Sequence, residues 1–314
     1  VTGARRRGAM PVRKAAAITV TAGTVLLVTP LTSPAQAATA PTVSAKGAFL
    51  LDNANGAKLF GKYADTKRPM ASTTKIMTAR VVLSQPGLDL DRKVTVRQAY
   101  RDYVTNEGAS TADLRTGDRV TVRQLLYAMM LPSGCDAAYA LADTFGSGDT
   151  RSARVKSFIG KMNKKAAYLG LTNTHFDSFD GISTTGENYT TPRDLAKLAR
   201  SAMGYSTFRT VVKTQKTVRY ATTSTGGTRT YTWYNTNKLL GSYTGATGVK
   251  TGTSTPAGPC LVFSATRGDK TVIGVVLNAT DRYNDAAKML DYGLGTSTAS
   301  TMQLRTLPAG AQQD

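Results

Sequence analysis

Arg68-Pro69-Met70-Ala71-Ser72-Thr73-Thr74-Lys75-Ile76-Met77-Thr78-Ala79 holds the most informative spacing in the chain. Ile76, Met77, Val81 and Leu83 recur at helical intervals, so residues 73–83 read as a helix. Ser72 and Lys75 stand at its start, close enough in sequence to share one face about one turn apart. A serine hydroxyl attacks well only when a neighbouring base takes its proton. A lysine amine does that once burial or a second cation favours its neutral form. Ser-x-x-Lys also recurs by chance on ordinary exposed helices, so its meaning depends on what the rest of the chain supplies.

Two further segments supply it. Ser133-Gly134-Cys135 falls in a turn just after Pro132. The helix before it, Val122–Met130, has Thr121 as its N-cap, and the helix after it opens at Asp136 and runs to about Phe145. Lys250-Thr251-Gly252-Thr253 lies on a late strand, 248–253, where the glycine lets a ligand approach the backbone closely. Ser-x-x-Lys, then Ser-Gly-x about 60 residues on, then Lys-Thr-Gly about 120 further, is an ordered trio that chance does not readily assemble.

The surrounding pattern is strand, then helix, then strand. Residues 48–51 and 57–60 read as two strands about the tight turn Asn55-Gly56. Residues 154–169 form an amphipathic helix, and Thr191-Pro192-Arg193-Asp194 opens another over 195–202. Period two returns at 217–221, 228–233, 248–253, 260–266 and 270–279, the last three as antiparallel neighbours, before a closing helix over 284–292. The expected fold class is α/β (α+β), a sheet domain interrupted by an all-helical insertion. Its parts are a flexible linker (38–46), a sheet domain (47–67 and 212–294), the helical domain (68–211) with the active site at the interface, and a polar tail (295–314).

Composition narrows the chemistry. One histidine and two cysteines among 314 residues fall short of a four-ligand zinc site or a disulfide-dense scaffold. The expectation is an enzyme without metal or cofactor. His175 is the one imidazole available to a Ser-His-Asp triad, and its place between a helix and a loop reads as structural. The glycine-rich 245–251 leads along a strand rather than into a helix, so it is not a phosphate loop.

The net charge is +20, with 40 basic against 20 acidic residues. Part of it is an N-terminal basic start at Arg5, Arg6, Arg7, Arg13 and Lys14. An apolar run over 15–28, Pro30, Pro34 and then Ala35-Gln36-Ala37 complete the layout of a secretory signal peptide over residues 1–37. An uncleaved N-terminal anchor is the alternative. Export turns the basic charge away from nucleic acid and toward the anionic polymers of a cell envelope. Aromatics at 7% supply no stacking platform for single strands. After cleavage the expected protein is secreted and wall-associated, monomeric and without a stable membrane anchor.

With these residues in place, the chain resembles the low-molecular-mass penicillin-binding proteins, the serine D-alanyl-D-alanine carboxypeptidases and transpeptidases of cell-wall metabolism. The resemblance runs from about Gly47 to Leu294. It is carried by 68–79, Leu131-Pro132-Ser133-Gly134, Thr191-Pro192-Arg193-Asp194-Leu195, Asn235-Thr236-Asn237 and Gly248-Val249-Lys250-Thr251-Gly252. Cys135, where the family usually has Asn, is similar to the second motif of a secreted actinobacterial DD-transpeptidase. The resemblance implies a β-lactamase/transpeptidase-like fold and stem peptides of peptidoglycan ending in D-Ala-D-Ala as substrate, with β-lactams as covalent inhibitors.

By the same resemblance Ser72 is the nucleophile, Lys75 takes its proton, and Ser133 passes a proton to the leaving amine. Lys250, Thr251 and Thr253 hold the terminal carboxylate, and Cys135 and Gly252 belong to the substrate site. The backbone N–H groups of Ser72 and Thr253 form the oxyanion hole. A thiol is a weak hydrogen-bond partner compared with an amide, which puts substrate anchoring at Cys135 in question. Water as acceptor makes a carboxypeptidase and an amine makes a transpeptidase; the sequence leaves both open, along with a Cys135–Cys260 disulfide. A catalytically weak peptidoglycan- or β-lactam-binding protein is the rival from another class. A β-lactamase needs a Glu-x-x-x-Asn loop, and Glu187 beside Asn188 has the wrong spacing.

Overall fold

Gly56, at φ +79°, turns the chain between β1 (Gly47–Asp52) and β2 (Lys58–Lys62), as the Asn-Gly pair predicts. The structure is a computed structural model that describes residues 39–313, together with 1–3, 8–10, 15 and 17. The basic and apolar parts of the expected signal segment lie almost wholly outside the described residues. Among the described residues no helix is long and apolar enough to cross a membrane.

β9 (Ala246–Gly252), β10 (Cys260–Arg267) and β11 (Lys270–Leu277) join the first two strands in an antiparallel sheet of order β2-β1-β11-β10-β9. Its middle strands are apolar without alternation because both faces are covered. Leu261, Phe263, Val272 and Val276 point into one core with Met289 and Leu290 of α8 (Arg282–Leu294). Val262, Ile273, Val275 and Leu277 point into the other with Leu195 and Leu198 of α6 (Pro192–Met203). β9 is the edge strand, so one side of Lys250-Thr251-Gly252 is left for something other than a sheet neighbour.

That neighbour is the segment that carries Ser72. A 3-10 turn, Ala71–Thr74, runs into α1 (Lys75–Leu83), every residue of which is buried. A helix buried on all sides places even its cations, Lys75 and Arg80, out of water. Around α1 pack α3 (Val122–Met130), α4 (Cys135–Phe145), α5 (Arg151–Tyr168) and α6. Thr121 caps α3 in a full capping box with Gln124, and Thr191 caps α6 with Pro192 in its first turn. α2 (Gln98–Glu107) packs on α4, and α7 (Ser206–Lys213) on α3 and β9.

The region 68–211 is not purely helical. β3 (Arg68–Pro69) pairs with β6 (Tyr189–Thr190), while β4 (Lys93–Thr95) and β5 (Arg119–Thr121) join β7 (Lys216–Thr222) and β8 (Thr228–Tyr234) in a second sheet, β4-β5-β7-β8. Strands of two or three residues are too short to print a period-two signal, so their pull on β7 and β8 was not visible in the sequence. The expected linker is also tied down. Ser44 N and Oγ and Ala45 N all donate to the Asp285 carboxylate, and Ala45 is fully buried.

Candidate active site

Ala71 (φ +46°) and Ser133 (φ +65°) both adopt the left-handed region without being glycine. Such strain persists where the surroundings hold it, and here it flanks the two serines that matter. Thr73 Oγ1 donates to Met70 O at 2.6 Å and stiffens the turn that presents Ser72. Ser110 Oγ donates to Ser133 O at 2.7 Å, and Cys135 N donates to Ser110 O at 2.8 Å. Beneath them the buried Asp136 carboxylate accepts from Ala112 N, Leu114 N, Thr111 Oγ1 and Ala137 N, at 2.9–3.0 Å. The loop before α4 therefore cannot shift independently of the second motif.

Lys75 Nζ is the hub. It lies 2.8 Å from Ser72 Oγ, 3.0 Å from Asp180 O, 3.3 Å from Cys135 Sγ and 3.5 Å from Ser133 Oγ. Ser72, Ser133 and Cys135 thus lie around one lysine nitrogen. Asp180 contributes through its backbone and was not foreseen. Its carboxylate accepts from Tyr103 Oη at 2.9 Å, which pins the loop.

Both cysteines are buried, and they are not joined in a disulfide. Cys260 Sγ sits by Ala257 O and Gly258 O, away from the hub, so no disulfide ties the second motif. Burial pushes the Cys135 thiol up to about 12, although the Lys75 charge pulls the other way. A thiol held protonated is a poor nucleophile. His175 Nδ1 lies 2.8 Å from Glu187 O, and its ring is not among the residues lining the cleft.

On β9, Lys250 and Thr251 are buried. Lys250 Nζ donates to Thr251 O at 3.0 Å, and Thr251 Oγ1 lies 2.6 Å from Thr236 Oγ1 of the Asn235-Thr236-Asn237 segment. Gly252 closely approaches the turn that carries Ser72. A Cβ there would stand 2.9 Å from Ser72 N and 3.0 Å from Thr73 N, so only a glycine admits that turn. Gly181 does the same on the other side, where a Cβ would meet Ala71 O at 2.1 Å. Thr253 is exposed at the end of the strand, and Arg282 Nη1 donates to its Oγ1 at 2.8 Å. Arg282 opens α8, where a cation runs against the helix dipole. That unfavourable placement is the one local hint the sequence carried for it.

The cleft over these groups measures about 660 Å³ and is lined by Ser72, Cys135, Asn188 and Thr253 among others. A serine hydroxyl with a lysine nitrogen at hydrogen-bond distance, beside an open cleft, is an arrangement suited to acyl transfer.

A family model described as D-alanyl-D-alanine carboxypeptidase matches residues 34–281. The chain belongs to that family. The D-alanyl-D-alanine carboxypeptidase of Streptomyces sp. (strain K15) is 58% identical over 289 residues, covering 90% of this chain and 99% of that one. D-alanyl-D-alanine carboxypeptidase DacC of Escherichia coli (strain K12) is 36% identical, and the match spans 82% of this chain and 63% of that relative. The crystal structure of the Streptomyces K15 DD-transpeptidase superposes with a TM-score of 0.81 at 61% identity, covering 82% of this chain and all of that one. This D-alanyl-D-alanine carboxypeptidase family member therefore carries the penicillin-binding-protein fold expected of it.

Proposed function

We propose that this chain is an exported serine DD-peptidase acting on peptidoglycan stem peptides that end in D-Ala-D-Ala. Ser72 Oγ attacks the carbonyl of the penultimate D-Ala while Lys75 Nζ takes its proton. The tetrahedral oxyanion is held by the N–H groups of Ser72 and Thr253, a donor pair in which each well-placed member contributes about 3–4 kcal/mol. Collapse breaks the peptide C–N bond. Ser133, within reach of Lys75, relays the proton to the departing D-Ala amine and leaves an acyl-enzyme on Ser72. Attack on that ester by water or by an amine then frees Ser72. Lys250, Thr251 and Thr253 hold the terminal carboxylate, with Arg282 braced against Thr253. β-Lactams enter by the same first step.

The observation that carries this assignment is the 2.8 Å approach of a fully buried Lys75 amine to Ser72 Oγ. Without water around it the amine has few competitors for the serine proton. The N-terminal basic, apolar and Ala-x-Ala layout supports export with cleavage after Ala37.

The test uses a peptide ending in D-Ala-D-Ala with a glycine-type amine, followed by mass spectrometry, with Ser72→Ala as control. Release of D-Ala with hydrolysed or aminolysed product above the control is the expected result. Absence of both overturns the assignment.

A further inference from the structure

The C-terminal segment is not the loose polar tail that its composition suggests. After a short 3-10 turn, Thr298–Ser300, the chain runs back over the body of the protein. Arg305 N donates to Ser242 Oγ at 2.8 Å. The Arg305 guanidinium donates to Asn235 O and, at 3.1 Å, to Asn237 O. These carbonyls flank Thr236, whose hydroxyl meets Thr251 of the Lys-Thr-Gly strand. Leu307 is buried at 6% exposure. A turn then closes from Ala311 N to Pro308 O, with Gly310 at φ +79° as the third residue of a type II geometry. The turn directs Gln312 and Gln313 into the lining of the catalytic cleft.

We propose that residues 301–313 form a strap whose end, Gln312 and Gln313, together with Glu107, makes the subsite for a peptide amine acting as acyl acceptor. This rests on the acyl-transfer function above and deepens it. Glu107 is the one charged side chain among the described residues that line the cleft, and its carboxylate supplies a local partner for the ammonium group of an acceptor. Carboxamides offer both donors and an acceptor, and these match the C=O and N–H groups of an extended peptide. Water needs no such groups. The strap therefore favours aminolysis by improving acceptor binding rather than by speeding hydrolysis. In that step the acceptor ammonium first gives one proton to solvent, the freed amine nitrogen bonds the acyl carbon, the ester C–O bond to Ser72 breaks, and a second proton passes from that nitrogen to Ser72 Oγ through Lys75.

The experiment compares the full chain with Gln312→Ala/Gln313→Ala, Glu107→Gln and Arg305→Ala. Each receives one D-Ala-D-Ala donor and increasing amounts of either a glycyl peptide or hydroxylamine, an acceptor too small to need a subsite. The half-saturating concentration of the glycyl peptide is expected to rise at least about fivefold in the glutamine and Glu107 variants, with that of hydroxylamine unchanged. Arg305→Ala unhooks the strap and is expected to follow them. Because that variant can also lose stability, the two surface variants decide. Equal acceptor dependence in the wild type and both surface variants overturns the subsite, as does a parallel loss with both acceptors. If the wild type yields neither product and takes no β-lactam on Ser72, the underlying enzyme assignment fails and the subsite with it. That outcome is distinct from an active enzyme whose acceptor preference ignores the strap.

Discussion

Lys75 Nζ faces four groups with the three N–H bonds of an ammonium, or with two N–H bonds and a lone pair as an amine. In the amine form Asp180 O takes one N–H, Ser133 and Cys135 share the other, and the lone pair is left for the Ser72 proton. Lys75→Met keeps the length and removes the proposed base, and is expected to slow acylation by about 10³-fold, read from the rate of acyl-enzyme formation. Cys135 is expected to resist iodoacetamide in the folded protein at neutral pH, because burial keeps the thiol protonated. Rapid labelling of Cys135 without unfolding would contradict that. At this scale the sequence was informative where the chemistry is local. Ser72 and Lys75 share a helix face by spacing, and Ser133-Gly134-Cys135 and the Lys250–Thr253 run gain meaning from their order after it and from the family resemblance. Asp180, Arg282 and Gln312 reach the site from far along the chain, and no local pattern marks a backbone carbonyl or a distant side chain as a neighbour of Ser72.

The decisive element contact is the edge strand β9 against the turn that carries Ser72. Gly252→Ala inserts a methyl group 2.9 Å from Ser72 N, and either the turn or the strand must yield. Overpacking of this kind costs about 1–3 kcal/mol. The expected outcome is a protein that still folds, with a modestly lower Tm, but whose acylation by a β-lactam falls by about 100-fold as the N–H groups of Ser72 and Thr253, proposed for the oxyanion hole, separate. Among the elements, the main-sheet strands and the capped helices were legible because Thr121, Thr191 and Asn55-Gly56 carry explicit start and turn signals. α2 begins at Arg97 without a side-chain cap and buries little beyond Tyr100, so nothing in its pattern separated it from loop. β7 and β8 read as strands, but their sheet was misjudged. Their companions β4 and β5 are three residues each.

Over the whole molecule, stability should decline at alkaline pH before any acid effect matters at neutrality. Burial, reinforced by acceptance of their protons by Asp143, Asp180 and Asp118, raises the hydroxyls of Tyr100, Tyr103 and Tyr231 above the ordinary tyrosine range. In the unfolded chain these groups and Cys135 lose their protons at about pH 8.5–10, while the folded protein keeps them. The unfolded state then binds fewer protons, and stability falls as pH rises. A Tm that is level to about pH 8 and drops steadily above about pH 9 is expected; a Tm rising over that range would contradict it.

The account turns on a covalent bond between Ser72 and a substrate carbonyl, formed with Lys75 as base. The most direct measurement is to treat the protein with benzylpenicillin, digest it with trypsin and locate the adduct by mass spectrometry. The adduct is predicted on Ser72, within the peptide Arg68-Pro69-Met70-Ala71-Ser72-Thr73-Thr74-Lys75, and is expected to be strongly depleted at the same time point in Lys75→Met. An adduct on Cys135, or none on the wild-type protein, would contradict the account.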